Sequence, residues 1–231
     1  TLKSSVAAAA LFAIAAPVAP SVNAADDTLK SGNKNSLSIS GQVVRALYYA
    51  DDGNNSKLFQ SDGGITSTRV RWVAKGTVNE NVTMGATLEL NSPLSNSQAS
   101  LKLHAGAAGA GSTDSATSTT WGVRHQFVWV NHKRMGKISL GQTNSASNGR
   151  SETTFSGVNM AADSGGVTFG SGNRFIDTTA GTQSISAVTV GSSFTNLDGR
   201  SRTDVLRYDT PRFGGLALAV SAIAGGSWDI G

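Results

Sequence analysis

Residues 81–91 read Asn-Val-Thr-Met-Gly-Ala-Thr-Leu-Glu-Leu-Asn. The even positions from Val82 to Leu90 are all apolar, and the odd positions are polar or glycine. Because successive residues of a β-strand point to opposite faces, this alternation predicts a strand with one apolar and one polar face.

The same alternation recurs along the chain. In 68–76, Val70 and Trp72 oppose Arg69 and Arg71. Seven strands are predicted in all, at 37–49, 68–76, 81–91, 121–131, 137–142, 204–210 and 216–223. The pattern blurs at 44–45, which indicates a bulge. In 121–131 the pattern predicts an apolar face with Val123, His125, Phe127 and Trp129, and a polar face with Arg124, Gln126, Val128 and Val130.

The connections between these strands differ in length on alternate sides. Short turns are predicted at 76–81, 133–136 and 211–215, and long connections at 51–64, 92–120 and 143–203. Short turns on one side and long loops on the other are typical of a transmembrane antiparallel β-barrel. Residues 185–194 are also strand-like, and either form a strand inside the longest loop or add a strand to the sheet.

Composition excludes several other classes. The 231 residues include 27 Gly and no Cys, so neither a disulfide framework nor a cysteine zinc site is available. There is no uninterrupted apolar run of about 18 residues, as a membrane helix needs. The net charge of +4 is too small to indicate nucleic-acid binding.

Catalytic motifs are not found either. His104, His125 and His132 are scattered, and no nucleophile elbow or phosphate loop is present. We therefore expect no enzyme activity, no catalytic residue, no cofactor and no metal site.

The first residues have the pattern of an export signal. Lys3 precedes the small apolar run 6–19, and Val22-Asn23-Ala24 provides a small-x-small cleavage site. This pattern predicts a secretory signal peptide at 1–24, with the mature protein at 25–231.

Two other β architectures fit part of the pattern. A soluble β-sandwich also alternates, but a second sheet must cover its apolar face. A secreted or surface-anchored adhesive β-protein shares the composition, but a fibre of this kind is expected to repeat at a fixed period. The adhesive protein is the alternative function, in which the chain binds rather than conducts.

Ordered motifs resemble those of Gram-negative general porins, especially the alphaproteobacterial type. They comprise Leu-Ser-Ile-Ser-Gly-Gln at 37–42, Thr-Arg-Val-Arg at 68–71, Lys-Gly at 75–76, Gly-Lys-Ile-Ser-Leu-Gly-Gln at 136–142, Gly-Arg-Ser-Glu at 149–152, Phe-Ser-Gly at 155–157, and Val-Leu-Arg-Tyr-Asp-Thr-Pro-Arg-Phe-Gly-Gly at 205–215. The resemblance covers nearly all of 37–231.

The resemblance implies an outer-membrane barrel of sixteen strands that assembles as a homotrimer in lipid and admits small hydrophilic solutes and ions by passive diffusion. It places the stretch 143–203 as a loop that folds inward and narrows the channel. Seven strands are too few to close such a barrel, so we expect this chain to be the N-terminal part of one.

The resemblance also implies a constriction in which charges of opposite sign face each other. The resemblance places Arg71, Arg124 and Arg207 at the positions of the family's basic cluster on the barrel wall, and the polar faces of the predicted strands add Arg45 and Arg69 to the expected basic wall. The acidic residues of the loop are expected to be Glu152, Asp163 and Asp177. Gln142 stands where the family often has a further basic residue. Trp72, Trp121, Trp129 and Tyr208 are predicted on the apolar faces, as an interfacial aromatic girdle.

Overall fold

The computed structural model describes residues 29–31, 35–53, 55–62, 66–92, 101–104, 120–150, 170–177, 184–193 and 199–231. The predicted signal peptide at 1–24 lies outside these residues. No helix in the described part of the chain is long and apolar enough to cross a membrane.

The described residues form β-strands and one single-turn helix. The strands are β1 (Leu29–Ser31), β2 (Asn35–Gln42), β3 (Ala46–Asp51), β4 (Ser56–Ser61), β5 (Arg69–Thr77), β6 (Val82–Asn91), β7 (Gly122–His132), β8 (Gly136–Asn144), β9 (Arg174–Asp177), β10 (Ser184–Thr189), β11 (Arg202–Asp209), β12 (Ala219–Ile223) and β13 (Ser227–Ile230), and the helix is α1 (Val190–Ser193). The predicted all-β, antiparallel class is therefore confirmed.

Nine strands form one antiparallel sheet in the order β1-β2-β5-β6-β7-β8-β11-β12-β13. The order follows the chain and skips only two hairpins, β3–β4 and β9–β10. Because β8 pairs directly with β11, the strand-like residues near 185 do not join this sheet and instead pair with β9. Among the described strands the sheet is open, with β1 and β13 at its edges.

The prediction of one continuous strand over 37–49 was wrong. The strand β2 ends at Gln42, and the chain then bends before β3, which pairs with β4 rather than with the main sheet. The Thr68 hydroxyl stabilises the bend, because it accepts a hydrogen bond from the Val44 amide at 3.0 Å and donates to the Val44 carbonyl at 3.2 Å. The blur at 44–45 therefore marks the end of a strand, and the predicted loop 51–64 contains β4.

The β3–β4 hairpin has a small apolar core of its own. Tyr48 stacks on Phe59 with ring centroids 5.0 Å apart, and Leu101 and Leu103 pack against this pair. Burial raises the pKa of the Tyr48 phenol. His104 Nε2 lies 2.6 Å from Asp52 Oδ2, so residues 101–104 are attached to the hairpin by polar and apolar contacts.

The main sheet exposes its apolar face and covers parts of its polar face. Val128, Leu140 and Leu206 lie side by side on the apolar face and are 54%, 57% and 52% exposed. On the opposite face, Glu89 is fully buried and Ser139 is nearly so. No second layer of described residues covers the apolar face, as a β-sandwich would require.

Candidate functional site

Three arginines converge on one carboxylate on the polar face. The strand β5 carries Arg69 and Arg71 two residues apart, and β6 places Glu89 directly opposite Arg71. Arg69 Nη1 lies 3.1 Å from Glu89 Oε1, Arg124 Nε donates to the same oxygen at 2.7 Å, and Arg71 Nε donates to Oε2. We call Arg69, Arg71, Arg124 and Glu89 the basic cluster, which carries a formal net charge of +2 from its three cations and one anion.

A β-bulge brings Arg124 into the basic cluster. Leu90 pairs with Val123 and Glu89 pairs with His125, so Arg124 is the extra residue between two successive pairs. A bulge of this kind redirects a side chain and interrupts the alternation of faces. Arg124 has no cross-strand partner in the β6–β7 ladder, and its side chain is directed to Glu89 on the polar face.

The bulge corrects the predicted faces of β7. Beyond Arg124 the alternation shifts by one residue, so Phe127 and Trp129 pair with Thr87 and Gly85 on the polar face. The prediction that Phe127, Trp129 and His125 lie on the apolar face was wrong, and so was the prediction that Gln126, Val128 and Val130 lie on the polar face. Val123, which precedes the bulge, lies on the apolar face as predicted.

The position of the Trp129 ring follows from a glycine across the strand pair. A Cβ atom at Gly85 would lie 2.6 Å from the ring, so only glycine lets the indole lie over β6. Trp129 is therefore not part of an aromatic girdle on the apolar face.

Neutral polar groups surround the basic cluster at the long-loop ends of the strands. Arg69 Nη2 donates to Thr66 Oγ1 at 2.8 Å, and Gln42 Nε2 donates to the same oxygen at 2.6 Å. Ser67 Oγ donates to Asn91 Oδ1 at 2.7 Å. This network holds the arginines in place and leaves Arg71 the most exposed of them, at 43% of its side chain.

A second charged group lies at the other end of the polar face. Arg207 Nη2 lies 2.6 Å from Asp209 Oδ1. In the β8–β11 ladder, Lys137 is the residue directly opposite Asp209. The Lys137 ammonium lies 5.6 Å from the centre of the Phe127 ring and 5.4 Å from that of Trp129. These distances are within the range of cation–π contacts.

The chain that leaves β8 turns over the polar face of the neighbouring strands. Arg207 Nη1 donates to the carbonyl oxygens of Asn144 and Ser145, at 3.0 and 2.8 Å. The Ala146 amide donates to Ser221 Oγ at 3.0 Å, and the Ser147 amide to Asp229 Oδ2 at 2.8 Å. Both Ser221 and Asp229 lie on the same face as Arg207.

The end of the same long connection returns to this place. The Arg200 amide donates to Ser147 Oγ at 2.9 Å, and the Ser145 hydroxyl donates to the Arg200 carbonyl. Residues 145–147 and 199–200 thus lie together against the polar face of β11, β12 and β13.

The structure brings only part of the predicted site together. Arg69, Arg71 and Arg124 form one cluster, and Arg207 forms another. Arg45 is exposed between β2 and β3, outside the main sheet. Asp177 ends β9, and Glu152 and Asp163 lie outside the described residues.

Sequence reasoning did not select Glu89, Lys137 or Asp209 as site residues. For Glu89 a signal was available, because the turn at 76–81 sets the register of its hairpin. With Thr77 opposite Thr83, the same register places Arg71 opposite Glu89. Lys137 and Asp209 become neighbours only through the pairing of β8 with β11, strands that are separated by the longest connection.

An antiparallel sheet with an exposed apolar face and a charged opposite face has the organisation of the wall of a transmembrane β-barrel, in which lipid-facing and channel-facing residues alternate. A family model described as Gram-negative porin matches residues 5–229. The chain therefore belongs to the Gram-negative porin family. No match was found among curated proteins.

Proposed function

We propose that this chain is the N-terminal part of an outer-membrane channel that admits small hydrophilic solutes and ions by passive diffusion. The observation that carries the proposal is the distribution of side chains on the main sheet. One face has half-exposed aliphatic side chains, and the other face has the basic cluster. An apolar outer face suits lipid, and a charged inner face suits a water-filled channel. The family match favours this function over the adhesive alternative and implies a channel rather than an enzyme.

The proposed channel is narrowed by the stretch 143–203. Its support is the inward course of residues 145–147 and 199–200, which bond to the polar face through Arg207, Ser221 and Asp229. A connection of this length is unusual unless it has a function of its own. The part between these two ends includes Glu152 and Asp163, which we propose as acidic residues facing the basic wall, together with Asp177.

The proposed mechanism is electrostatic. Opposite charges that face each other across a narrow channel with low-dielectric walls produce a field through which each solute passes. Arg69, Arg71, Arg124 and Arg207 provide the positive wall in this proposal, and Arg45 lies nearer to the mouth on the long-loop side. Polar solutes align with such a field, whereas apolar solutes gain no energy from it.

The remaining features of the proposal concern export and assembly. Residues 1–24 act as a cleaved signal peptide, and 25–231 form part of the barrel. Further strands outside this chain pair with the open edges β1 and β13, because unpaired backbone groups are costly in hydrocarbon. The complete barrel assembles as a homotrimer in outer-membrane lipid and binds no nucleic acid.

Conductance tests the proposal directly. The full-length protein that contains this chain, inserted in a planar bilayer, is expected to give discrete current steps in potassium chloride. A current that stays at the level of the bare bilayer, under conditions in which the protein is shown to be inserted, contradicts the proposal.

A further inference from the structure

A recess lies on the polar face between the basic cluster and Arg207. Its lining includes His125, Phe127, Lys137, Thr143, Arg207 and Asp209. The lining side chains come from β5, β6, β7, β8 and β11, five neighbouring strands of the sheet. The recess therefore belongs to a rigid part of the structure rather than to a loop.

An aromatic surface forms one side of the recess. The bulge at Arg124 turns Phe127 and Trp129 onto the charged face, where the alternation alone would place them on the opposite face. His125 contacts Phe127 edge to face, with ring centroids 5.9 Å apart. When a solute covers an apolar surface on a water-facing wall, the free energy of the system falls, because less apolar surface contacts water.

Lys137 supplies a cation with unused donors. Among the described residues its ammonium has ring contacts but neither a hydrogen bond nor an ion pair. Asp209, its cross-strand neighbour, attracts the ammonium but forms its hydrogen bonds with Arg207, whose Nε lies 3.0 and 3.1 Å from the two carboxylate oxygens. The Lys137 donors are therefore available to a solute anion that enters the recess.

The polar rim can orient such a solute. Thr143 Oγ1 lies 3.3 Å from His125 Nδ1, and both groups face the recess. With Arg71 at one end and Arg207 at the other, cations outnumber anions around the opening. Most of the lining side chains are polar or charged, which suits a charged group on the solute.

We infer that this recess is a transient binding site for small organic carboxylates that carry a ring or a short apolar body, an inference that rests on the proposed channel function. The carboxylate pairs with the Lys137 ammonium, and the apolar body covers the Phe127 ring. Such a site raises the local concentration of these solutes in the channel and gives it a preference for them over equally small anions without an apolar body.

The test measures how solutes block the open channel of the full-length protein. Benzoate, acetate and benzyl alcohol are added to a planar bilayer in potassium chloride, and the half-blocking concentration of each is recorded. The half-blocking concentration of benzoate is expected to be about fivefold lower than that of acetate, because benzoate adds one aromatic contact. That of benzyl alcohol is expected to be much higher than that of benzoate, because benzyl alcohol has no carboxylate. The wild-type channel is sufficient for this comparison.

Two variants and one control assign the effect to the recess. K137Q is expected to raise the half-blocking concentration of benzoate about fivefold, and F127L to remove most of the difference between benzoate and acetate. K75Q is the matched control, because Lys75 also lies on the polar face, near the short-turn end of β5, but not in the recess. K75Q is expected to change the block less than twofold, on the order of a distant screened charge.

Equal block by benzoate and acetate in the wild-type channel would overturn the inference, and so would equal effects of K75Q and K137Q. Either result leaves a conducting channel, so the proposed function survives it. A protein that is inserted but does not conduct overturns the proposed function instead. If F127L gives no channels, F127Y is measured in its place. F127Y keeps the aromatic ring and is expected to preserve the preference for benzoate over acetate. Loss of this preference in F127Y counts against the inference.

Discussion

At the scale of single residues, Glu89 organises the site. It is fully buried, and its two oxygens receive hydrogen bonds from three guanidinium groups. Without this carboxylate the three positive charges would repel each other and the desolvated arginines would lose their common partner. The carboxylate thus makes possible a dense group of cations on a water-facing wall.

E89Q is expected to destabilise the full-length protein by about 1–3 kcal/mol, because charged hydrogen bonds are lost and buried donors remain unsatisfied. It also raises the net charge of the basic cluster by one, so the open channel is expected to favour anions more strongly. Urea unfolding in lipid vesicles and reversal potentials measure the two effects.

E80Q provides the control for E89Q. Glu80 lies in the exposed turn between β5 and β6, so the same chemical change there is expected to alter stability by less than about 0.5 kcal/mol. Equal effects of the two variants would show that Glu89 has no organising role.

R71Q, R124Q and R207Q are each expected to shift the ion selectivity toward cations. A unit charge about 10 Å from the ion path, at an effective dielectric constant of about 50, changes the ion's energy by roughly 0.7 kcal/mol, or about threefold in permeability ratio. R134Q is the control, because Arg134 lies in the exposed turn between β7 and β8. Unchanged reversal potentials in all three wall variants would remove these arginines from the ion path.

At the scale of elements, alternation predicted most strands of the sheet but not the bulge. Residues 81–91 became β6, and 68–76 became β5, each within one residue at either end. In β7 the alternation holds up to Val123 and fails beyond Arg124, since one extra residue transfers every later side chain to the other face. The bulge brings Arg124 to Glu89 on the neighbouring strand β6, a contact between strands that the sequence of one segment does not reveal.

The β3–β4 hairpin shows the same limit. Its local pattern continues β2, and only its packing with Leu101 and Leu103, more than forty residues further on, gives it a separate core. The strands β1 and β13 have three and four residues, too few for an alternation to be recognised. Arg69, Arg71 and Arg124 were predicted because alternating polar residues are visible within one segment. The contacts of Arg207 with Asn144 and Ser145, in contrast, depend on the pairing of β11 with β8, strands that are distant in sequence.

The two faces of β7 can be tested by introducing charge. V128R is expected to destabilise the full-length protein in lipid vesicles by about 2–4 kcal/mol, because it places a charge on the lipid face. T83R, on the polar face of the adjacent strand β6, is expected to cost less than about 1 kcal/mol. A larger cost for T83R than for V128R in urea unfolding would reverse the assignment of the faces.

The hairpin core can be tested by truncation. Leu101 is fully buried, so L101A is expected to cost about 2–4 kcal/mol locally and to accelerate amide hydrogen exchange in β3 and β4 at least tenfold. The control L58A removes a side chain that is 62% exposed on the same hairpin and is expected to leave exchange within about twofold. If the hairpin core is independent of the main sheet, L101A leaves amide hydrogen exchange in β5 and β6 unchanged. An acceleration in β5 and β6 as large as that in β3 and β4 would contradict this independence.

At the scale of the whole molecule, one physical asymmetry unites these observations. The main sheet has an apolar face that no described residue covers and a polar face on which charged side chains and both ends of the longest connection gather. Lipid on one side and water on the other satisfy both faces at once. Unpaired backbone groups are costly in hydrocarbon, so under the proposed function the open edges of the described sheet pair with further strands when it spans lipid.

Cysteine labelling tests this central claim most directly, because these 231 residues contain no native Cys, and any Cys elsewhere in the full-length protein is first replaced by Ser. Single cysteines replace Ser40 and Thr87 on the polar face, and Ile39 and Leu88 on the apolar face, in the full-length protein reconstituted in lipid vesicles. We predict that a charged, water-soluble thiol reagent modifies positions 40 and 87 and spares 39 and 88. Equal modification at all four positions, or modification of 39 and 88 alone, would contradict the account.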